Sequence, residues 1–265
     1  MSFELFKTTL KRNWLLLVIF FGVLTMYITV MISMYDPDNM GAILSMVRLF
    51  PKSLMSAMGF SDIFTDFTGY LASWLYGLLM LAFPMVYCII LGNRLVAKLV
   101  DNGSFAYLLS TPTSRVKIIV TQGLYALLSV LLLSAALFGV GVLSSAAMHP
   151  GLLNVRAFFR LNATTMLVNM AVMMIAFFFS CLFNESKTAI GFGAGIPVVF
   201  LLLNMLGGMS PQARLLKEIS IYGFYSPVRL AEGEAVWMQN LAYIGIIAVL
   251  FVGGTLIFRR KRLPL

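Results

Sequence analysis

Residues 118–148 read IIVTQGLYALLSVLLLSAALFGVGVLSSAAM, a run without a single charged side chain. A helix needs about 20 apolar residues, each adding about 1.5 Å, to cross the hydrocarbon core of a bilayer. In such a helix every backbone N–H group finds its acceptor within the segment, so no polar group is left facing lipid. The run therefore predicts a membrane-spanning helix.

Five further runs share this character and account for most of the remaining chain. They lack Asp, Glu, Lys, Arg and His, and they lie at residues 14–35, 67–93, 161–184, 188–209 and 235–258. Of the 265 residues, 60% are hydrophobic and 11% are charged, whereas soluble domains carry about 25% charged residues. The predicted fold class is an all-α integral membrane protein, with six transmembrane helices in one domain over residues 1–265. This composition excludes a soluble nucleic-acid-binding protein, so no nucleic acid partner is expected.

The loops between the runs divide the charge unequally between the two sides of the membrane. With six spans both termini lie on one side, which receives twelve basic and three acidic residues. The other side receives seven of each, so the whole formal charge of +9 lies on the side of the termini. Because short loops rich in Lys and Arg stay in the cytoplasm, both termini are predicted to be cytoplasmic in the cell (plasma) membrane.

Segments outside the spans carry helical patterns of their own. In residues 1–12, Phe3, Phe6 and Leu10 share one helix face among basic residues. This pattern predicts a short amphipathic helix on the inner membrane surface, with lipid as a partner, while a plain basic flank is the alternative. Residues 42–50 and 53–59 predict two short helices at the outer interface.

The sequence lacks the residues that most membrane enzymes and ion-coupled transporters need. It contains no Gly-x4-Gly-Lys-Ser/Thr loop, so ATP binding by the P-loop route is excluded. The six runs contain no Asp, Glu, Lys, Arg or His, which disfavours a site for a coupling ion or a proton. We therefore expect a protein that is not an enzyme, without catalytic residues, metal or cofactor, that takes its energy from a partner.

One short connection, residues 101–115, reads DNGSFAYLLSTPTSR and is unusually apolar for a loop. Gly103 and Pro112 punctuate its two ends, and Ser104 is suited to cap a short helix. An exposed surface of aromatic and aliphatic side chains marks a protein interface. The side chains that predict such a surface here are Phe105, Tyr107, Leu108 and Leu109.

This loop resembles the equivalent segment in the permease subunits of ABC-2 type transporters. Those subunits share Gly-Thr or Gly-Ser followed by Leu-Leu-Ser-x-Pro-x-Ser-Arg, between the second and third of six spans. The matching residues here are Gly103, Ser104, Leu108, Leu109, Ser110, Pro112, Ser114 and Arg115. With the amphipathic N-terminal segment and the six spans, the resemblance covers nearly the whole chain and implies an ABC-2 type permease fold.

The resemblance also implies how the chain is energised. A separate P-loop ATPase subunit, which binds ATP and Mg, would receive residues 101–109 as a coupling helix. Residues 184–188 would make a minor second contact, and a second permease copy or a paralogue would complete the working unit. The coupling residues implied in this way are Asp101, Gly103, Ser104, Phe105, Tyr107, Leu108, Leu109 and Glu185.

The fourth run supplies candidates for a cargo path. Its methionine side chains carry flexible thioethers, which suit a variable amphipathic cargo. Ordinary packing of these side chains against lipid or in the core is the alternative. With the resemblance, we expect an exporter of a peptide toxin, an antimicrobial peptide or a drug that works by alternating access. A permease for a lipid-linked glycan and a non-transporting immunity or sensor protein are the alternatives. The candidate path residues are Asn162, Met166, Asn169, Met170 and Met173.

Overall fold

The computed structural model describes residues 2–37, 51, 55, 66–110, 113–234 and 236–261. Within these ranges the chain is helical and has no strand. The short helices predicted at 42–50 and 53–59 lie outside the described residues, apart from position 55. The helices are α1 (Phe3–Ser33), α2 (Phe67–Trp74), α3 (Leu79–Leu95), α4 (Ala97–Asp101), α5 (Phe105–Leu109), α6 (Arg115–Met148), α7 (Val155–Leu182), α8 (Ser186–Met209), α9 (Arg214–Ile219), α10 (Pro227–Glu232) and α11 (Trp237–Arg260).

Six segments of the described chain are long and apolar enough to cross a membrane: α1, α3 with α4, α6, α7, α8 and α11. The mean hydropathy of their most apolar windows lies between 1.8 and 2.6. The all-α fold with six spans is thereby confirmed. Spans three, five and six begin and end within three residues of the predicted bounds, and span four begins six residues early, at Val155.

The ends of the helices meet at two opposite ends of the bundle. At the first, here called the termini end, the backbone N–H of Ser2 donates to Thr121 Oγ1 near the start of α6, at 2.9 Å. At the far end, His149 Nε2 lies 2.9 Å from the Ile32 carbonyl oxygen. The helices α1 and α6 therefore run parallel, since they meet both where they begin and where they end.

The helix α7 lies at the centre of the bundle, in contact with α3, α6, α8 and α11. Two glycines allow neighbouring backbones to approach it at Ala176. A Cβ atom at Gly92 of α3 would lie 2.8 Å from Ala176 Cβ, and one at Gly193 of α8 would lie 3.2 Å from Ala176 Cα. Small residues at such contacts are typical of membrane helices, which associate by close packing rather than by exclusion of water.

The predicted separate helix over residues 1–12 is wrong, because α1 continues without a break from Phe3 to Ser33. No Gly or Pro occurs between residues 2 and 21, so nothing in the sequence interrupts the backbone hydrogen bonds there. Thr9 is buried against α6, where its Oγ1 donates to Gln122 Oε1 at 3.2 Å. Contact with α6 therefore keeps the amphipathic segment in line with the first span.

The predicted second span, residues 67–93, is interrupted between α2 and α3. The Met80 N–H donates to the Leu75 carbonyl at 3.0 Å, which makes a turn wider than that of an α-helix. The Tyr76 carbonyl accepts a hydrogen bond from the Tyr225 hydroxyl at 3.2 Å. In this break the Tyr225 side chain replaces the helical N–H donor of the Tyr76 carbonyl. The segment that is long enough to cross the membrane is therefore Leu79–Asp101.

Pro84 lies inside α3, where its ring nitrogen carries no hydrogen. The carbonyl of Met80, four residues earlier, therefore lacks its helical donor. Asn169 of α7 supplies a replacement, because its Nδ2 donates to the Met80 oxygen at 3.1 Å from a side chain that is 3% exposed. The hydrogen bond that Pro84 removes from α3 is thus replaced by one from a side-chain amide of the central helix α7.

Replacing Asn169 with Leu removes this donor and leaves the Met80 carbonyl unsatisfied in the interior, at a cost of about 1–3 kcal/mol. We expect Asn169→Leu to lower the melting temperature of the detergent-purified chain. In a Pro84→Ala background the backbone N–H of residue 84 is restored, so the same substitution should cost less. Thermal melts of the wild type, both single variants and the double variant make up a double-mutant cycle. Equal losses in the two backgrounds would contradict the pairing.

Candidate functional site

The apolar connection singled out in the sequence folds as two short helices joined by a tight turn. Gly103 ends α4 with a φ of +72°, a conformation that favours glycine. The Ser104 N–H donates to Asn102 Oδ1 at 3.1 Å, which closes the turn. The helix implied over residues 101–109 is therefore shorter than expected, since residues 102–104 form a turn and α5 covers only Phe105–Leu109. Ser104 takes the N-cap position of α5 as predicted, but its side chain makes no capping hydrogen bond.

The aromatic residues of α5 lie on opposite faces of the helix. Phe105 is fully buried, and its ring centroid lies 5.1 Å from that of Phe258 in the last turn of α11. Leu108 and Leu109, three and four residues later, share this face and pack partly against the core. Tyr107 points away and is 80% exposed. The expectation of an exposed Phe105 is wrong because the helix buries that face, and the exposed apolar surface centres on Tyr107.

Glu185 lies in the turn between α7 and α8, at the same end of the bundle. It is exposed, and its Oε2 accepts a hydrogen bond from Thr188 Oγ1 at 3.1 Å. The start of α8 is tied to α3, because Asn93 Nδ2 donates to Ser186 Oγ at 2.8 Å. Asp101, at the end of α4, is exposed as well. The structure therefore brings all the predicted coupling residues to the termini end.

Lys261, just beyond α11, connects this turn to α5. Its Nζ donates to the carbonyl oxygens of Cys181 and Phe183 at 2.9 and 2.7 Å, where the end of α7 leaves carbonyls without helical donors. The same Nζ lies 5.6 Å from the centroid of the Phe258 ring, which contacts Phe105 on another side. Burial lowers the pKa of Lys261 to about 8. The helix α5, the α7–α8 turn and the end of α11 thus form one connected unit.

Phe105 is expected to anchor α5 to the bundle, because truncation of a buried Phe costs about 3–5 kcal/mol. In Phe105→Ala we expect faster amide hydrogen exchange over residues 101–110, measured by mass spectrometry, with the long helices unchanged. Tyr107→Ala is the matched control, since it removes an aromatic ring from the same helix that is 80% exposed. Wild-type exchange in Phe105→Ala would contradict the anchoring role.

The lowered pKa of Lys261 leads to a prediction about pH. The folded chain holds this proton more weakly than the unfolded chain, in which Lys has a pKa of about 10.4. The contribution of Lys261 to the free energy of unfolding therefore rises as the pH increases from about 8 toward 10.5. We expect the melting temperature of the wild type, minus that of Lys261→Met, to be larger at about pH 9.5 than at about pH 7. A smaller difference at the higher pH would contradict this.

The predicted path residues lie along α7, mostly inside the bundle. Asn162 Nδ2 donates to the Tyr76 hydroxyl at 2.9 Å, Asn169 pairs with the Met80 carbonyl, and Met173 is fully buried. A cavity of about 20 Å³ adjoins the two asparagines, room for about one water molecule. In this conformation the space there is too small for a cargo. The two path residues that are partly exposed are Met166 and Met170.

Sequence reasoning missed the side chains that surround these asparagines. The Tyr225 hydroxyl lies 2.8 Å from Thr165 Oγ1 and also donates to the Tyr76 carbonyl. All three residues are buried, although Tyr225 comes from the segment between α9 and α10. The available signal was the aromatic cluster IYGFY at residues 221–225 within a polar connection. Through Tyr225, the segment between α9 and α10 packs against the centre of α7.

A larger cavity, of about 640 Å³, opens at the far end beside α8, α9 and α10. Its lining includes two exposed ion pairs, Arg214–Glu218 at 3.0 Å and Arg229–Glu234 at 3.7 Å. Phe224 adds an apolar ring that is 53% exposed. Charges of both signs beside apolar surface suit an amphipathic ligand.

Comparison with known protein families bears on this arrangement. A family model described as ABC-2 family transporter protein matches residues 6–263. The matched range includes every described helix from α2 onward and nearly all of α1. A comparison with curated proteins gives no match.

Proposed function

The chain belongs to the ABC-2 family of transporter proteins, and on this premise we propose that its termini end docks an ATPase subunit and that it exports an amphipathic cargo. Permeases of this family are non-catalytic membrane subunits of ABC transporters, and the ATPase is a separate partner. The chain is a multi-pass membrane protein. What the proposal adds is the docking surface, the path, the orientation and the cargo.

The observation that carries the docking proposal is the exposure of Tyr107. An aromatic side chain that is 80% exposed, at an end of the bundle rich in basic residues, is the kind of group that anchors a protein interface. The buried Phe105 holds its helix in place, so the surface is preorganised. Asp101, at the end of α4, and Glu185, in the α7–α8 turn, are both exposed at the same end of the bundle and would supply the polar rim.

The same contacts offer a route from the ATPase to the centre of the bundle. A displacement of α5 would be passed through the Phe105–Phe258 contact to α11, and through Lys261 to the end of α7. We propose that closure of two ATPase subunits on ATP moves the permeases in this way. Separation of α3 from α7 would then open the path along Asn162, Met166, Asn169, Met170 and Met173. A second permease copy or a paralogue would form the other wall.

Orientation and cargo follow from charge. The basic surplus at the termini end favours a cytoplasmic position for both termini in the plasma membrane. The far end, with its cavity of about 640 Å³ and ion pairs of both signs, would then face outward. A cargo that leaves past this cavity would carry both charge and apolar surface. A peptide toxin, an antimicrobial peptide or an amphipathic drug has this character.

The docking proposal is tested with Tyr107→Asp in the full chain, co-expressed with its P-loop ATPase subunit. Replacement of a central interface aromatic costs about 2–4 kcal/mol, so we expect at least a tenfold weaker association in co-purification. Vanadate-sensitive ATP hydrolysis in proteoliposomes, and its stimulation by an amphipathic peptide, should fall in parallel.

Two control variants make this test specific. Tyr107→Phe keeps the ring and should retain ATPase association within about twofold of the wild type. Leu215→Asp places the same charge on an apolar residue at the far end that is 69% exposed, and should also leave association unchanged. ATPase association of Tyr107→Asp at the wild-type level would show that the docking surface lies elsewhere.

A further inference from the structure

A third cavity, of about 270 Å³, lies at the termini end between α1, α3 and α4. It is well above the roughly 30 Å³ that one water molecule occupies. Three of its six lining residues are cationic at neutral pH and none is acidic. Within the described ranges, no carboxylate lies within 4.0 Å of the charged groups of these cations. The lining residues are Arg12, Asn13, Arg94, Lys98, Leu99 and Asn102.

One of the cationic groups, that of Arg12, is held by a contact to the backbone of α3. Arg12 Nη2 donates to the Arg94 carbonyl at 3.0 Å, where α3 is about to end. Arg12 and Arg94 line the same cavity, where their like charges repel each other. An anion between them would relieve this repulsion and accept their remaining N–H groups. Lys98, one turn further along the chain, adds a third positive charge to the same wall.

Asn13 adds a polar feature that points to the kind of anion. Its side chain is buried, with Nδ2 donating to the Thr9 carbonyl at 3.0 Å. Its Oδ1 has no hydrogen-bond partner among the described residues. A buried acceptor without a partner is unfavourable, and a bound hydroxyl group would satisfy it. Phosphate beside hydroxyl is the chemistry of a polyol phosphodiester headgroup.

The position of the cavity on α1 indicates where such a ligand comes from. Trp14, directly after Asn13, is 53% exposed, and exposed Trp side chains are typical of the membrane interface. At helical spacing from Arg12, an exposed apolar stripe then runs along the same face of α1. The stripe consists of Leu15, Ile19, Val23, Met26 and Val30. The cations therefore lie at the start of a surface suited to acyl chains.

We propose that this cavity binds the phosphate headgroup of an anionic phospholipid with a hydroxylated headgroup, whose acyl chains follow the stripe on α1. Arg12, Arg94 and Lys98 hold the phosphate, and Asn13 accepts a hydrogen bond from the headgroup hydroxyl. A basic pocket between membrane helices is a favourable place for such a headgroup. The site is separate from the Tyr107 surface and requires neither the ATPase nor a cargo.

The test measures binding of dioctanoyl phosphatidylglycerol to the purified full chain in detergent, by native mass spectrometry. We expect one lipid to bind at least tenfold more tightly than dioctanoyl phosphatidylcholine. Each cation near an anionic headgroup contributes about 1 kcal/mol, or about fivefold in affinity. The double variant Arg94→Gln/Lys98→Gln should therefore bind phosphatidylglycerol at least tenfold more weakly than the wild type. Arg94→Lys/Lys98→Arg, which retains both charges, should stay within about threefold of the wild type.

Matched controls separate this site from general attraction to positive charge. Lys7→Gln/Lys11→Gln removes two exposed cations from the same part of α1 outside the cavity, and should leave the affinity unchanged. Unchanged affinity in Arg94→Gln/Lys98→Gln would overturn the proposal. Displacement of the lipid by equimolar inorganic phosphate would assign the cavity to free phosphate instead, and displacement by the ATPase subunit would assign it to a protein carboxylate.

Discussion

In the hydrocarbon core of a membrane no water is present to donate a hydrogen bond to a backbone carbonyl, so each carbonyl needs a donor inside the protein. The second span leaves two such groups open: the Met80 carbonyl, because Pro84 has no N–H, and the Tyr76 carbonyl, because α2 and α3 do not join. Asn169 and Tyr225 supply the missing donors. Side chains from two other parts of the chain, α7 and the segment between α9 and α10, therefore satisfy the backbone groups that the interrupted second span leaves open.

This constraint explains why the asparagines of α7 are buried in the described conformation. Asn162 bonds to Tyr76 in the break between α2 and α3, and Asn169 bonds to Met80 of α3, so both hold the second span against the central helix. If the bundle opens to admit cargo, these bonds must separate together, and the freed amides would then face the path. On the proposed function, the same side chains would stabilise a closed state and line an open one, in apolar runs that contain no Asp, Glu, Lys, Arg or His.

The basic residues of the termini end do not share one role. Lys261 is turned inward to the last carbonyls of α7 and makes a mechanical connection. Arg12, Arg94 and Lys98 surround a cavity and are suited to a phosphate. A count of charges by side treats these residues alike, whereas burial and hydrogen bonding separate them.

The sequence by itself determined the six spans and the side on which the charge lies, because the length and charge of each run are local properties. It also located the segment at residues 101–115 that we propose docks the ATPase, through a motif that is contiguous in the chain. Only the tertiary structure decided that α1 is continuous, that the second span breaks before Leu79, and that Phe105 is an anchor rather than an exposed contact. These outcomes depend on contacts between distant residues, such as Tyr76 with Tyr225 and Phe105 with Phe258. The partners in each pair lie about 150 residues apart in the chain, so no local pattern of residues specifies which side chains meet.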